Sequence, residues 1–237
     1  MTPILLENPI WNALSTEHLH LTEGDDHARR YPADIGPLAG IPNQSEASYG
    51  SLGKLAGEFP VVLFSLDPIR APEGWSTLRT GKVVQMIRNS PAGAPGPSSS
   101  GTWDASPQDR TLRRLTPADA SAMVALAELT EPGPFRLRTL ELGNFYGIFH
   151  RDQLVAMAGK RMHLPGLVEV SGVCTHPDVR GRGYARELTQ IAIGEIEDSG
   201  RTAFLHAWAD NPAVRLYESL GFAISRQFHL AVLMHKV

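Results

Sequence analysis

The chain has 237 residues, of which 42% are hydrophobic and 20% charged, a balance typical of a globular protein with an apolar core. Its formal net charge of -3 and sequence pI near 6.3 provide no overall basic surface for nucleic acid phosphates, so no nucleic acid partner is expected. A single cysteine excludes an intramolecular disulfide and a zinc site built on several thiolates, and the histidines show no His-Glu-x-x-His pattern, so no metal site is predicted.

The first 89 residues contain few clear signals. The opening MTPILLENPIWNALS lacks a charged region and a cleavage site, and no apolar run is long enough to span a bilayer, so we expect a cytoplasmic protein without a membrane partner. Residues up to about 43 show no sustained period. A helix is predicted over residues 46–57, and strands over 60–66 and 82–88, which indicates an α/β region of unknown role.

Residues 90–108, SPAGAPGPSSSGTWDASPQ, are dense in proline, glycine and serine and show no apolar periodicity. Such a composition cannot bury enough surface to offset its ordering entropy. We therefore predict a connector here, with residues 1–89 and 109–237 behaving as separate units.

After this connector, the predicted elements alternate regularly. DRTLRRL indicates a strand, and Thr116 and Pro117 begin a helix over ASAMVALAEL, which residues 131–134 terminate. NFYGIFH and LVAMAGKRMHL form a predicted hairpin across residues 151–152, and LVEVSGVCTH forms the next strand.

The remainder of the chain follows the same alternation. Apolar residues at helical spacing predict a long helix that stops at Gly200, followed by a strand over TAFLHAWA and a short helix within DNPAVRLYESLGF. ISRQFHLAVLMHKV is predicted to close the domain as two more strands. The pattern implies an α/β (α+β) fold with a mixed, mainly antiparallel sheet flanked by helices.

The segment VCTHPDVRGRGYA joins a strand to the long helix through a glycine-rich turn. Small residues in such a turn let backbone N–H groups at a helix N-terminus approach a diphosphate, and two arginines add positive charge. The alternative is that the glycines only satisfy the geometry of the turn. Neither a Walker pattern nor the G-x-G-x-x-G dinucleotide spacing is present, which disfavours ATP and NAD.

The sequence here resembles the GNAT superfamily of N-acetyltransferases, over about residues 112–237. Arg180, Gly183 and Ala185 fit the diphosphate loop of that superfamily, and Asn211, Leu216-Tyr217 and Gly221-Phe222 fit its second signature. The stretch EVSGVCTHPDVRGRGYA is especially similar to the branch of glycine N-acyltransferase-like proteins. In that branch the N-terminal part is often a degenerate half of a similar fold, which is one expectation for residues 1–105.

The resemblance implies acetyl-CoA as cofactor and assigns residues to it. The diphosphate would lie against the loop formed by Arg180, Gly181, Arg182, Gly183, Tyr184 and Ala185. The pantetheine arm would pair with the backbone of Val173, Cys174 and Thr175 and hydrogen-bond Asn211, which also suits a helix cap. Cys174 is expected to be a small buried residue and not a nucleophile.

Two catalytic residues are implied. Glu169 matches the position of the base glutamate in histone acetyltransferases of the superfamily, and alternation places residues 169, 171, 173 and 175 on one face unless a bulge intervenes. The alternative is a solvated strand residue or an ion pair with Lys160 or Arg161, and a pKa raised by partial burial would favour the base. Tyr217 matches the residue that protonates the departing thiolate, or is a core residue.

The acceptor would bind near Phe135 and Tyr146, with Arg161, His206 and Trp208 lining its pocket. The implied activity is transfer of an acetyl group to a primary amine by direct attack in a ternary complex. A non-catalytic CoA-binding module and an acyltransferase for a longer acyl-CoA are the alternatives. The acceptor is expected to be a small-molecule amine or an amino-acid-like compound, and the oligomeric state stays open.

Overall fold

The structure is a computed structural model that describes residues 3–89 and 110–236. The predicted connector at 90–108 lies outside the described residues. Within the described ranges, no helix combines the length and apolar character needed to cross a membrane.

The N-terminal region contains two α-helices, two strands of a large sheet and a small sheet of three very short strands. Its elements are a 3-10 helix Ile4–Glu7, α1 (Pro9–Ser15), a 3-10 helix Leu19–Leu21, β1 (Glu23–Gly24), β2 (Arg29–Arg30), β3 (Ala39–Gly40), α2 (Glu46–Ala56), β4 (Val61–Ser65) and β5 (Trp75–Arg88). α2 begins at Glu46 because the Ser45 hydroxyl accepts a hydrogen bond from the Ser48 N–H.

The C-terminal region carries three further α-helices and six strands. They are β6 (Arg110–Arg114), α3 (Ala120–Thr130), β7 (Phe145–His150), β8 (Gln153–Leu164), β9 (Leu167–Thr175), α4 (Tyr184–Asp198), β10 (Thr202–Trp208), α5 (Val214–Ser219) and β11 (Phe222–His235), with short 3-10 helices at Pro117–Asp119, Thr139–Leu142 and Pro177–Val179. Thr116 and Asp119 form a capping box ahead of α3. The mixed, mainly antiparallel fold predicted from the sequence is confirmed.

All strands from β4 to β11 form one eight-stranded sheet in the order β4-β11-β5-β10-β9-β8-β7-β6. β5 pairs with β10 on one side and with β11 along its whole length on the other. The expectation that residues 1–89 and 109–237 are separate units is therefore wrong, because the N-terminal region is part of the same sheet. It completes the sheet of the C-terminal region, because β10 and β11 both hydrogen-bond to β5.

The closing segment is one strand, not the two that the sequence predicts. The polar residues after Ile224 suggest an interruption, but β11 only shifts its register between Ile224 and Arg226. Because β5 is equally long, it pairs with β11 on both sides of this irregularity.

Helices cover both faces of the sheet. On one face, α1 brings Ile10 and Leu14 against Phe204 and Phe228, and α3 packs on β7 and β8 nearby. On the other face, α4 and α5 pack through Ile193 and Tyr217. The first face is covered largely by residues 3–43 and carries the polar side chains described below.

A buried aromatic cluster attaches the N-terminal segment to β8. The His18 Nδ1 atom lies 2.8 Å from the Tyr31 hydroxyl, and the His18 ring lies 5.2 Å from that of His163. Burial lowers the pKa of His18 to about 3 and that of His163 to about 4, and the charges of Arg201 and Lys160 lower the pKa of His163 further. Both rings are therefore neutral at pH 7.

Candidate active site

β9 and β10 are parallel neighbours that separate after only three residue pairs. The pairs are Thr202 with Leu167, Ala203 with Val168 and Phe204 with Glu169. Beyond them β10 continues along β5, whereas the edge of β9 that faces β10 is unpaired from residue 170 onward. A cavity of about 990 Å³ opens at this divergence and is lined from both strands.

A bulge in β9 shapes the wall of this cavity. Met157 and Gly159 of β8 pair with Cys174 and Ser171, so three residue steps on β9 oppose two on β8. Gly172 has a φ of +64°, and a Cβ there would lie 2.7 Å from the Phe145 ring. The alternation expected for residues 169, 171, 173 and 175 is thereby broken: Val173 packs with the α4 side, whereas Cys174 packs with the α3 side.

The glycine-rich turn forms a second wall. The chain passes Gly181 and Gly183 with a φ of +79° at each before α4 begins at Tyr184. No acceptor among the described residues takes a hydrogen bond from the backbone N–H groups of residues 183–186. These donors, the positive end of the α4 dipole and the exposed Arg180 and Arg182 fit a diphosphate group.

Glu169 is fully buried, and three hydrogen bonds saturate its carboxylate. Arg161 donates from Nε and Nη2 at 2.8 and 2.9 Å, and His206 Nδ1 lies 2.8 Å from Oε1. Burial alone would raise the pKa of Glu169, but the Arg161 charge and these hydrogen bonds outweigh it and hold the pKa at about 2.

These contacts weigh against the prediction that Glu169 is the base. The structure shows the ion pair with Arg161 that was its alternative, while Lys160 pairs with Glu195 on α4. Because the pKa of Glu169 is lowered, its carboxylate has little affinity for a proton at neutral pH.

His206 connects this ion pair to β5. Its Nε2 atom lies 3.1 Å from Gln85 Nε2, which also donates to the Leu6 carbonyl oxygen at 3.1 Å. Since the Gln85 amide nitrogen is a donor, Nε2 of His206 accepts, and the imidazole proton lies on Nδ1 toward Glu169. Gln85 could not be identified from the sequence, because only the pairing of β5 with β10 brings it here.

The cavity is also lined by Tyr217, Asn211 and Cys174. Burial raises the pKa of Tyr217 to about 12, so its hydroxyl is protonated at neutral pH. The Asn211 Oδ1 atom accepts from the Ala213 N–H at 2.8 Å in the turn before α5, whose N-cap is Ala213 and not the predicted Asn211. Cys174 is buried, and burial raises its pKa to about 11, as expected of a small core residue and not a nucleophile.

The structure places four of the five predicted acceptor residues at the cavity: Phe135, Arg161, His206 and Trp208. The prediction that Tyr146 lies near the acceptor is wrong. Tyr146 does not line the cavity, and its hydroxyl donates a hydrogen bond to Glu195 on α4. The sequence also missed lining residues that precede the connector, namely Leu38, Val62, Phe64, Arg79 and Val83. Across residues 3–89 and 110–236, no group of three or more His, Cys, Asp or Glu side chains could hold a metal ion.

Comparisons with known proteins agree with this geometry. Residues 145–229, from β7 into β11, match the family model described as FR47-like protein. No curated protein matches the chain.

Among solved structures, a protein from Novosphingobium aromaticivorans described as a GNAT-family acetyltransferase is 33% identical. The match covers 99% of this chain and 100% of that one, with a TM-score of 0.83. A GCN5-related N-acetyltransferase from Kribbella flavida, 16% identical, has the same fold over 98% of this chain and 96% of its own, with a TM-score of 0.56. The full-length likeness to the first of these, together with the diverging strands and the glycine-rich turn, shows that the chain belongs to the GNAT family of acetyltransferases.

Proposed function

We propose that the protein transfers an acetyl group from acetyl-CoA to a primary amine by direct attack in a ternary complex. The observation that carries this proposal is the continuous cavity at the divergence of β9 and β10. The glycine-rich turn bounds it at one end, and an apolar floor with a buried histidine bounds it at the other. Both substrates therefore have access to one continuous space.

The donor side supports acetyl-CoA binding. The backbone N–H groups of residues 183–186 and the charges of Arg180 and Arg182 would hold the diphosphate. The unpaired edge of β9 at residues 173–175 would pair with the amide groups of the pantetheine arm, and the side-chain nitrogen of Asn211 would donate to it. Bound acetyl-CoA supplies an acetyl group that is activated as a thioester.

In this proposal His206, and not Glu169, accepts the proton of the acceptor. Glu169 holds the Nδ1–H of His206, which leaves Nε2 as the basic nitrogen. The ammonium N–H of the acceptor replaces the Gln85 N–H at Nε2 and passes its proton to that nitrogen. Glu169 then stabilises the resulting imidazolium, so its lowered pKa suits a positioning residue.

Tyr217 is proposed as the acid. Its hydroxyl keeps its proton at neutral pH, and its side chain lines the cavity beside Cys174. The hydroxyl can donate that proton to the departing thiolate, which matches the role implied by the resemblance.

The test is an acetyl-CoA consumption assay over a panel of primary amines, read by thiol release, together with the melting temperature with and without acetyl-CoA. We expect a rise in melting temperature at millimolar acetyl-CoA and amine-dependent thiol release. A rise without release from any amine would favour the non-catalytic CoA-binding alternative. Release with octanoyl-CoA but not with acetyl-CoA would favour a longer acyl donor, and no rise with either would refute the donor assignment.

A further inference from the structure

The acceptor end of the cavity has a floor made by one face of four adjacent strands. β4 contributes Val62 and Phe64, β11 contributes Leu230 and Val232, and β5 and β10 contribute Val83 and Trp208. Strand pairing sets these side chains next to one another: Val62 is opposite Val232, Phe64 is opposite Leu230, and Val83 is opposite Trp208. An apolar floor of this kind fits a hydrocarbon or aromatic body and provides no partner for a polar one.

At the outer end of this floor, Arg79 is held on an aromatic platform. Its guanidinium carbon lies 4.6 Å from the centroid of the Trp208 ring. The indole packs directly on Gly81, where a Cβ would come within 2.4 Å of the ring, so β5 must carry a glycine there. Stacking occupies one face of the guanidinium but leaves its N–H edges available.

Within the described part of the chain, Arg79 has no carboxylate partner. None of the acidic side chains in residues 3–89 and 110–236 forms an ion pair with it, and its side chain is exposed at the cavity. Arg161, the other arginine near the floor, is neutralised by Glu169. The two carboxylates that line the cavity, Glu128 and Glu131, are at the end of α3 and not on the floor. Arg136 also lines the cavity, but it belongs to the segment after α3 and not to the floor, so Arg79 is the positive charge on the floor that lacks an acidic partner among the described residues.

We propose that the acceptor is an amine with an apolar body and a carboxylate at the end remote from the amine, which Arg79 binds through its N–H edges. This inference rests on the proposed function, in which the amine reacts beside His206. His206 and Trp208 are two residues apart on β10, so the two ends of the acceptor are separated by about 7 Å or more. That spacing excludes the α-amine of an amino acid, whose carboxylate is adjacent to it, as the preferred acceptor group.

Three amines that share a benzene ring test whether the acceptor carries a carboxylate and where that carboxylate lies. 4-(2-aminoethyl)benzoate carries the remote carboxylate, phenethylamine carries none, and phenylalanine carries one adjacent to the amine. We expect kcat/KM for 4-(2-aminoethyl)benzoate to exceed the other two by about tenfold or more, the usual worth of a charged hydrogen bond. In Arg79→Gln, kcat/KM for 4-(2-aminoethyl)benzoate should fall to within about twofold of kcat/KM for phenethylamine. The control variant Arg70→Gln changes an exposed arginine away from the cavity and should keep the preference of the parent.

The same amines are also titrated by calorimetry into the protein saturated with coenzyme A, so that the preference is measured without turnover. Equal kcat/KM or equal affinity for 4-(2-aminoethyl)benzoate and phenethylamine would overturn the inference, as would a preference retained in Arg79→Gln. In those cases thiol release still occurs, and the proposed function stands. Absence of thiol release from every amine together with no rise in melting temperature on adding acetyl-CoA would overturn both.

Discussion

Replacement of Glu169 by glutamine should destabilise the protein strongly, because it leaves Arg161 charged and buried. Glu169 is 0% exposed and Arg161 9% exposed, so water cannot compensate for the lost carboxylate. Breaking a buried pair by removal of one partner costs about 3–5 kcal/mol. This is a large part of the roughly 5–15 kcal/mol that stabilises an ordinary domain.

The double variant Arg161→Met/Glu169→Gln separates charge from packing. It removes the unmatched charge but keeps an acceptor oxygen at residue 169 for the His206 Nδ1–H. We therefore expect it to recover about 2 kcal/mol or more relative to Glu169→Gln. Urea unfolding at pH 7 measures both free energies, provided that the slope with urea is unchanged.

An exposed ion pair provides the control. Glu141→Gln breaks the surface pair with Arg138 and should change the free energy of unfolding by less than about 1 kcal/mol. If Glu169→Gln costs no more than this control, or if the double variant is no more stable than Glu169→Gln, then the charge of Arg161 is not held in a low-dielectric site. Either result would also refute the role of Glu169 as a positioning residue.

The remaining predictions concern the donor site, the proton transfers and acid stability. Gly183→Asp should abolish the rise in melting temperature with acetyl-CoA through its charge and its strained φ, whereas Gly200→Asp, also at positive φ but on the surface, should keep it. Tyr217→Phe should lower kcat about 10- to 1,000-fold with the acetyl-CoA Kd little changed, measured by steady-state kinetics and calorimetry; an unchanged kcat would mean a packing role. His206→Gln should be slow at neutral pH and recover at high pH, where the amine loses its proton unaided; a kcat/KM profile parallel to that of the parent would exclude it as the base. The free energy of unfolding should fall as pH drops below about 6.5, the ordinary pKa of histidine. Below that pH His18 and His163 take up protons in the unfolded chain but stay neutral in the folded one, so His163→Gln should reduce the pH dependence of urea unfolding.

Local signals predicted the C-terminal elements well. The hairpin of β7 and β8 turns at residues 151–152 as expected, and α4 starts directly after the glycine-rich turn. These features depend on periodicity, caps and turn residues within a few positions of one another. The glycine-rich turn, proposed to hold the diphosphate, was predictable for the same reason, since the strand, turn and helix that form it are contiguous.

The proposed base was not predictable, because its assignment depends on contacts between strands. Arg161 lies where β8 shifts its register between Lys160 and His163, and this irregularity determines which lysine or arginine meets Glu169. His206 receives its second hydrogen bond from Gln85, 121 residues away in sequence. Neither register nor strand order follows from local propensity, so a carboxylate at the expected position could not be distinguished from an ion-pair partner.

Under the proposed function, donor and acceptor recognition are encoded in different parts of the chain. The residues proposed to hold acetyl-CoA lie between positions 173 and 217, and they could be identified from signatures. The acceptor floor instead combines β10 and β11 with β4 and β5, which precede the connector. The ring centroids of Phe64 and His206 are 5.1 Å apart, so the N-terminal region reaches the proposed base itself. Substitutions before residue 90 can therefore change the acceptor while the donor site keeps its geometry, which is why a family assignment from the C-terminal signatures leaves the acceptor undetermined.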